Sequence, residues 1–116
     1  MQSVELETSK SFFPGGIVEY IPNSVVSKSI IRKTTGNISV LAIDTGETLA
    51  EKISPFDTFI QIIEGNAEVI IDEKSNMLQS GQAIIIPAHS PNTVKANERF
   101  KMISTVIKSG YEGSSL

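Results

Sequence analysis

The chain has no cysteine and no tryptophan, a single histidine among 116 residues, and only 6% aromatic side chains. Without thiols there are no disulfides and no thiolate metal sites, which excludes zinc-ribbon architectures. One histidine, His89, cannot build a polyhistidine metal centre within one chain. Basic blocks are missing too: 10 Lys and Arg stand against 13 Asp and Glu, for a net charge of -3. Nothing in that balance suits a phosphate backbone, so nucleic acid is not an expected partner. No apolar run approaches the roughly 20 residues of a membrane-spanning helix, so no membrane partner is expected either. The opening MQSVELETSKSFFPGG carries acidic residues ahead of any apolar stretch and does not read as a secretory signal. A cytoplasmic protein is the expectation.

What the sequence does have is short runs of Ile and Val closed by turn residues. NISVLAID ends at TGE, FIQIIE at GN, AEVIID at EKSN and AIII at PAHSPN. In AEVIID, Ala67, Val69 and Ile71 share one face, the alternation of a half-buried antiparallel strand. FKMISTVI alternates Phe100, Met102, Ser104 and Val106 against Lys101, Ile103, Thr105 and Ile107. Glu64-Gly65-Asn66 reads as a hairpin turn needing positive backbone dihedrals, and Ser80-Gly81 reads likewise. No window shows sustained helical spacing. AIII is apolar on both faces and is therefore expected to lie centrally, covered on each side by an N-terminal strand or a partner subunit. Strands at about ten-residue intervals predict an all-β, antiparallel sandwich or small barrel. The length suits one domain that buries about two-thirds of its unfolded surface. The expected division is a tail over 1–12, one barrel domain over 13–108 and a polar, glycine-interrupted tail over 109–116.

The stretch GETLAEKISPFDTFIQIIEG then becomes diagnostic, because its spacing resembles the first motif of the cupin superfamily. From Gly46 to Gly65, Lys52 and Ser54 fall where the motif has its two histidines, and Thr58 falls where it has glutamate. The second motif is matched from Gly81, with Pro87 in place, His89 at a glycine position, Asn92 at the histidine position and Ala96 at the asparagine position. The spacings fit and the metal-ligand residues are exchanged. With the lead-in PGGIVEYIPNSVVSKSIIRKTTGN and the closing ERFKMISTVI, the resemblance covers residues 13 to 108 and looks like a small single-domain bacterial cupin. It implies a double-stranded β-helix, or jelly-roll barrel, and, from the habits of the family, a homodimer.

At those positions the chemistry is unfavourable to a metal. Lys52 is a cation with no lone pair to offer, Ser54 and Thr58 are neutral hydroxyls, and Asn92 brings one amide oxygen. A degenerate metal site is thus expected, with no metal and no cofactor. Lys52, Ser54, Thr58, Asn92, Ile60 and Met102 are the candidate pocket residues, and an inward Lys52 could hold a small anionic ligand. His89 is read as a turn residue off the inward face, and Asp57 as a turn residue bonded to its own backbone. Phe56, Phe59, Phe100, Phe12 and Phe13 could line a cavity for an apolar ligand but are read mainly as core. Tyr20 carries no assigned role. Three readings follow. The chain could be a metal-free cupin that binds or senses a small molecule. It could be an enzyme, metal-independent or using a non-standard metal, acting on a small carboxylate or sugar-like substrate. It could also be a structural homodimer with a closed barrel.

Overall fold

A computed structural model describes residues 6–110, with the side chains of 51 and 52 outside the description. It contains nine strands: β1 (Val25–Lys33), β2 (Gly36–Ile43), β3 (Thr48–Lys52), β4 (Asp57–Gly65), β5 (Ala67–Ile71), β6 (Lys74–Leu78), β7 (Ala83–Ile86), β8 (Asn92–Lys95) and β9 (Phe100–Ile107). A single 3-10 turn at Pro14–Gly16 is the one helical element among the described residues. None of it is a helix long and apolar enough to cross a membrane.

The strands form two antiparallel sheets, one in the order β1-β2-β9-β4-β7 and the other β3-β8-β5-β6. Alternation sets which side chains meet between them. Ile60, Ile62, Phe100 and Met102 from the five-stranded sheet face Ala67, Val69, Leu78 and Val94 from the other, in one buried cluster. Phe100, Ile62, Val69 and Val94 are the bulky members closed off from solvent, and each contributes roughly 1.5–3 kcal/mol of burial. This is an antiparallel jelly-roll barrel, the form that the resemblance in motif spacing implies.

Three expectations about connections are corrected. Gly65 does not close a hairpin, because β4 and β5 lie in different sheets. It turns a corner, with φ +76, and a Cβ there would lie 2.5 Å from the Arg99 carbonyl oxygen. Gly81 also has positive φ, but β6 and β7 again belong to different sheets. AIII is not central: β7 is an edge strand whose one partner is β4, and Ile85 is 62% exposed while Ile86 is buried.

A second, smaller cluster forms on the outer face of the five-stranded sheet. There Val18 packs on Val40 and Ala42, with Ile17, Tyr20, Val26, Ile30 and Ile63 around them. The N-terminal segment is thus a strap across one half of that face. It is fixed by polar ties as well. Tyr20 donates its phenol to Glu64 Oε2 at 2.6 Å, and Lys101 Nζ donates to the Gly15 carbonyl at 2.7 Å. The Arg99 guanidinium lies 4.6 Å from the Tyr20 ring centroid and 3.3 Å from Asp44 Oδ1. Burial and the Glu64 carboxylate raise the Tyr20 phenol well above its ordinary range. Tyr20, unassigned from the sequence, is therefore the clasp of the strap.

Candidate functional site

Between the two sheets lies a cavity of about 180 Å³, lined, among the described residues, by ten from β3, β4, β7, β8 and β9 and from the loop after β3. Pairing registers order these residues in depth. On the five-stranded sheet, Ile62 pairs with Met102, Ile60 with Ser104, and Thr58 with Val106 and Ile86, stepping from the packed core toward the open end. On the facing sheet, Leu49 pairs with Val94, and Asn92 lies two residues before Val94 on the same face. The deep part is hydrocarbon from Met102, Ile60, Val94 and Leu49. The outer part carries Ser54, Thr58 and Asn92, with Ser104 between them.

Each polar member is held by its local chain. Ser54 accepts the Phe56 N–H on its Oγ at 3.1 Å, a short turn that directs the chain from β3 into β4. Its carbonyl accepts the His89 N–H at 2.6 Å, tying the β7–β8 loop to the same rim. Asn92 is buried, and its Nδ2 donates to the Ser90 carbonyl at 3.1 Å. Thr58 and Ser104 differ: among the described residues neither hydroxyl has a hydrogen-bond partner, and both line the cavity.

Of the six pocket residues expected from the sequence, Ser54, Thr58, Ile60, Asn92 and Met102 are brought together on this cavity. The Lys52 side chain lies outside the described residues; its backbone pairs with Asn92 in the β3–β8 ladder. Ser104, Val106, Leu49 and Ile86 were not singled out. The signal for Ser104 and Val106 was present, since they share the alternating face of Met102. His89 is exposed, with φ +69, in a turn outside the lining. Asp57 Oδ1 accepts the Ala88 N–H, 31 residues away, at 2.8 Å, tying the start of β4 to the β7–β8 loop. None of the five phenylalanines lines the cavity. Phe100 is core, Phe12 and Phe13 are 42% and 87% exposed, Phe59 faces outward, and Phe56 lies under the Lys108 ammonium.

Among the described residues the donors at this cavity do not fit a first-row metal ion. Ser54 and Thr58 offer neutral hydroxyls and Asn92 one amide oxygen, where such an ion asks for imidazoles and a carboxylate. Among the described residues no three His, Cys, Asp or Glu side chains come together.

Comparison with solved structures places this architecture. A conserved protein of unknown function from Streptococcus pyogenes superposes with a TM-score of 0.86 at 27% identity, over 95% of this chain and 97% of that one. A cupin superfamily protein from Desulfitobacterium hafniense gives 0.84 at 22% identity, over 92% and 98%. A cupin 2 conserved barrel domain protein from Leptotrichia buccalis gives 0.78 at 26% identity, over 81% of this chain and 46% of the other. No protein-family sequence model matches the chain, and no curated protein does. The chain has the cupin fold, and its structural neighbours are cupin-superfamily proteins.

Proposed function

We propose that this protein is a metal-free cupin that binds or senses a small molecule in the cavity between its two sheets, in the cytoplasm. One observation carries the reading. Three positions that match the ligand positions of the family's motifs, 54, 58 and 92, converge with Ser104 on one interior space above a hydrocarbon floor. An apolar pocket with a few convergent polar groups is the usual form of a small-molecule site. Lys52, whose backbone lies across from Asn92, remains a candidate neighbour of the site, its side chain lying outside the described residues.

Elemental analysis and native mass spectrometry of untagged protein test the two halves of the proposal. Iron, manganese, nickel and zinc are expected below stoichiometry, with an organic molecule lost on desolvation of the native ion. One metal equivalent that survives dialysis and disappears in Lys52→Ala would contradict the metal-free reading.

A homodimer is part of the same proposal, supported by the uncovered half of the outer sheet face. Registers align Ile31, Ile38, Thr105, Phe59 and Ile85 in one row across all five strands, and the row contains no charged side chain. Ile31, Phe59 and Ile85 are 45%, 38% and 62% exposed. A two-fold contact sets a face against its own copy, which favours a patch without charge.

A further inference from the structure

We infer that the cavity is shaped for a compact, uncharged carbonyl compound, a ketone, ester or amide with a body of about one ring. The inference rests on reading the cavity as a binding site. Thr58 pairs with Val106 and Ile60 with Ser104, so Thr58 and Ser104 are diagonal neighbours on one inner face of β4 and β9. Among the described residues neither hydroxyl has a hydrogen-bond partner. Each brings one donor, and a carbonyl oxygen has two lone pairs, so one ligand atom satisfies both. The remaining polar groups are already engaged: Ser54 Oγ accepts from Phe56, and the Asn92 amide donates to Ser90.

Charge and size narrow the class further. Among the described residues none of the ten that line the cavity is ionisable. A carboxylate entering that space would shed its water with no cation among the described lining side chains to replace it, a heavy penalty for an ion. A volume of about 180 Å³ lies below the roughly 300–1,000 Å³ of pockets for drug-sized molecules. Leu49, Ile60, Val94 and Met102 then cover the hydrocarbon body.

Three probes of nearly one shape test this: acetophenone, benzoate and α-methylstyrene, which differ only in the head group. Each is titrated into the full chain, and into Ser104→Ala and Thr58→Val, while backbone amide NMR shifts are followed. Acetophenone is expected to shift the amides of Thr58, Asn92 and Ser104 and to bind about five-fold more tightly than α-methylstyrene. Benzoate is expected to bind at least about ten-fold more weakly than acetophenone. Either substitution should cut acetophenone affinity about three- to ten-fold and leave α-methylstyrene unchanged, which also shows that the cavity is intact. Equal binding of acetophenone and α-methylstyrene would overturn the carbonyl inference and leave the binding site standing. Benzoate binding tightest, with that preference lost in Lys52→Met, would replace it by an anionic ligand at the same site. Failure of all three to shift the lining would overturn both.

Discussion

Tyr20 and Glu64, 44 residues apart in the chain, are joined by a hydrogen bond of 2.6 Å from the phenol to the carboxylate. One end lies on the N-terminal strap and the other near the end of β4, so the bond closes the strap over the outer sheet face. Tyr20→Phe should keep the ring under Arg99 and remove the bond. The expected loss is about 0.5–1 kcal/mol, because the bond is solvent-accessible, and chemical denaturation reads it.

The same phenol gives a pH dependence. In the unfolded chain a tyrosine loses its proton near pH 10, whereas folded Tyr20 holds its proton to higher pH. Above pH 10 the unfolded state therefore binds fewer protons, and stability falls as pH rises. Denaturation of wild type and Tyr20→Phe at pH 8 and pH 11 should show the wild type losing more between the two. An equal loss would remove Tyr20 from the alkaline transition.

Asp44 works at the acid end. Its side chain is 12% exposed, and the Asn23 N–H, donated at 2.8 Å, is the main cause that holds its carboxyl below the usual range, assisted by Arg99. Its folded pKa is depressed, so its stabilisation is present above the unfolded value near 4 and is lost as pH falls through the folded one. Asp44→Asn should lower the melting temperature at pH 7, with the gap to wild type narrowing toward pH 3.

Two glycines of the first motif separate backbone strain from crowding. Gly46 has φ +87 with nothing within 4 Å of an added Cβ, while Gly65 has φ +76 and the Arg99 carbonyl at 2.5 Å. Gly46→Ala should cost about 1 kcal/mol from conformation alone. Gly65→Ala must also move the chain before β9, and should cost at least about twice as much. Equal costs in urea denaturation would contradict the corner geometry.

The outer row supplies a test of assembly. Ile85→Lys changes an exposed edge residue and should leave monomer stability within about 0.5 kcal/mol. In sedimentation velocity at micromolar concentration the wild type should run as a dimer and the Ile85→Lys, Phe59→Asp double variant as a monomer. A monomeric wild type would end the dimer proposal.

Much of the fold was legible because alternation is a local property. Ala67 and Val69 bury, as do Phe100 and Met102, and the motif spacing drew Ser54, Thr58 and Asn92 to one cavity. Partner choice between strands was not legible. The sequence around Gly65 and Gly81 asks for positive φ, which serves a hairpin and a corner between sheets equally well. The run AIII suggested burial on both faces, yet only Ile84 and Ile86 turn inward and Ile85 is left at an edge. Ser104 stood on the correct face but carried no motif, since its role comes from lying diagonal to Thr58. The clasp between Tyr20 and Glu64 is a long-range contact with no local signature.

The central claim is that the space between Thr58, Asn92 and Ser104 binds a small molecule without a metal. Its most direct test is an amide NMR screen of small neutral and anionic compounds against metal-stripped protein, run in parallel on Ser104→Leu, which fills the cavity from its wall. The account predicts compounds that shift the amides of Ser54, Thr58, Asn92 and Ser104 in the wild type and lose that effect in Ser104→Leu, whose spectrum otherwise stays folded. Binding that appears only after a metal is added, or shifts confined to other surfaces, would contradict it.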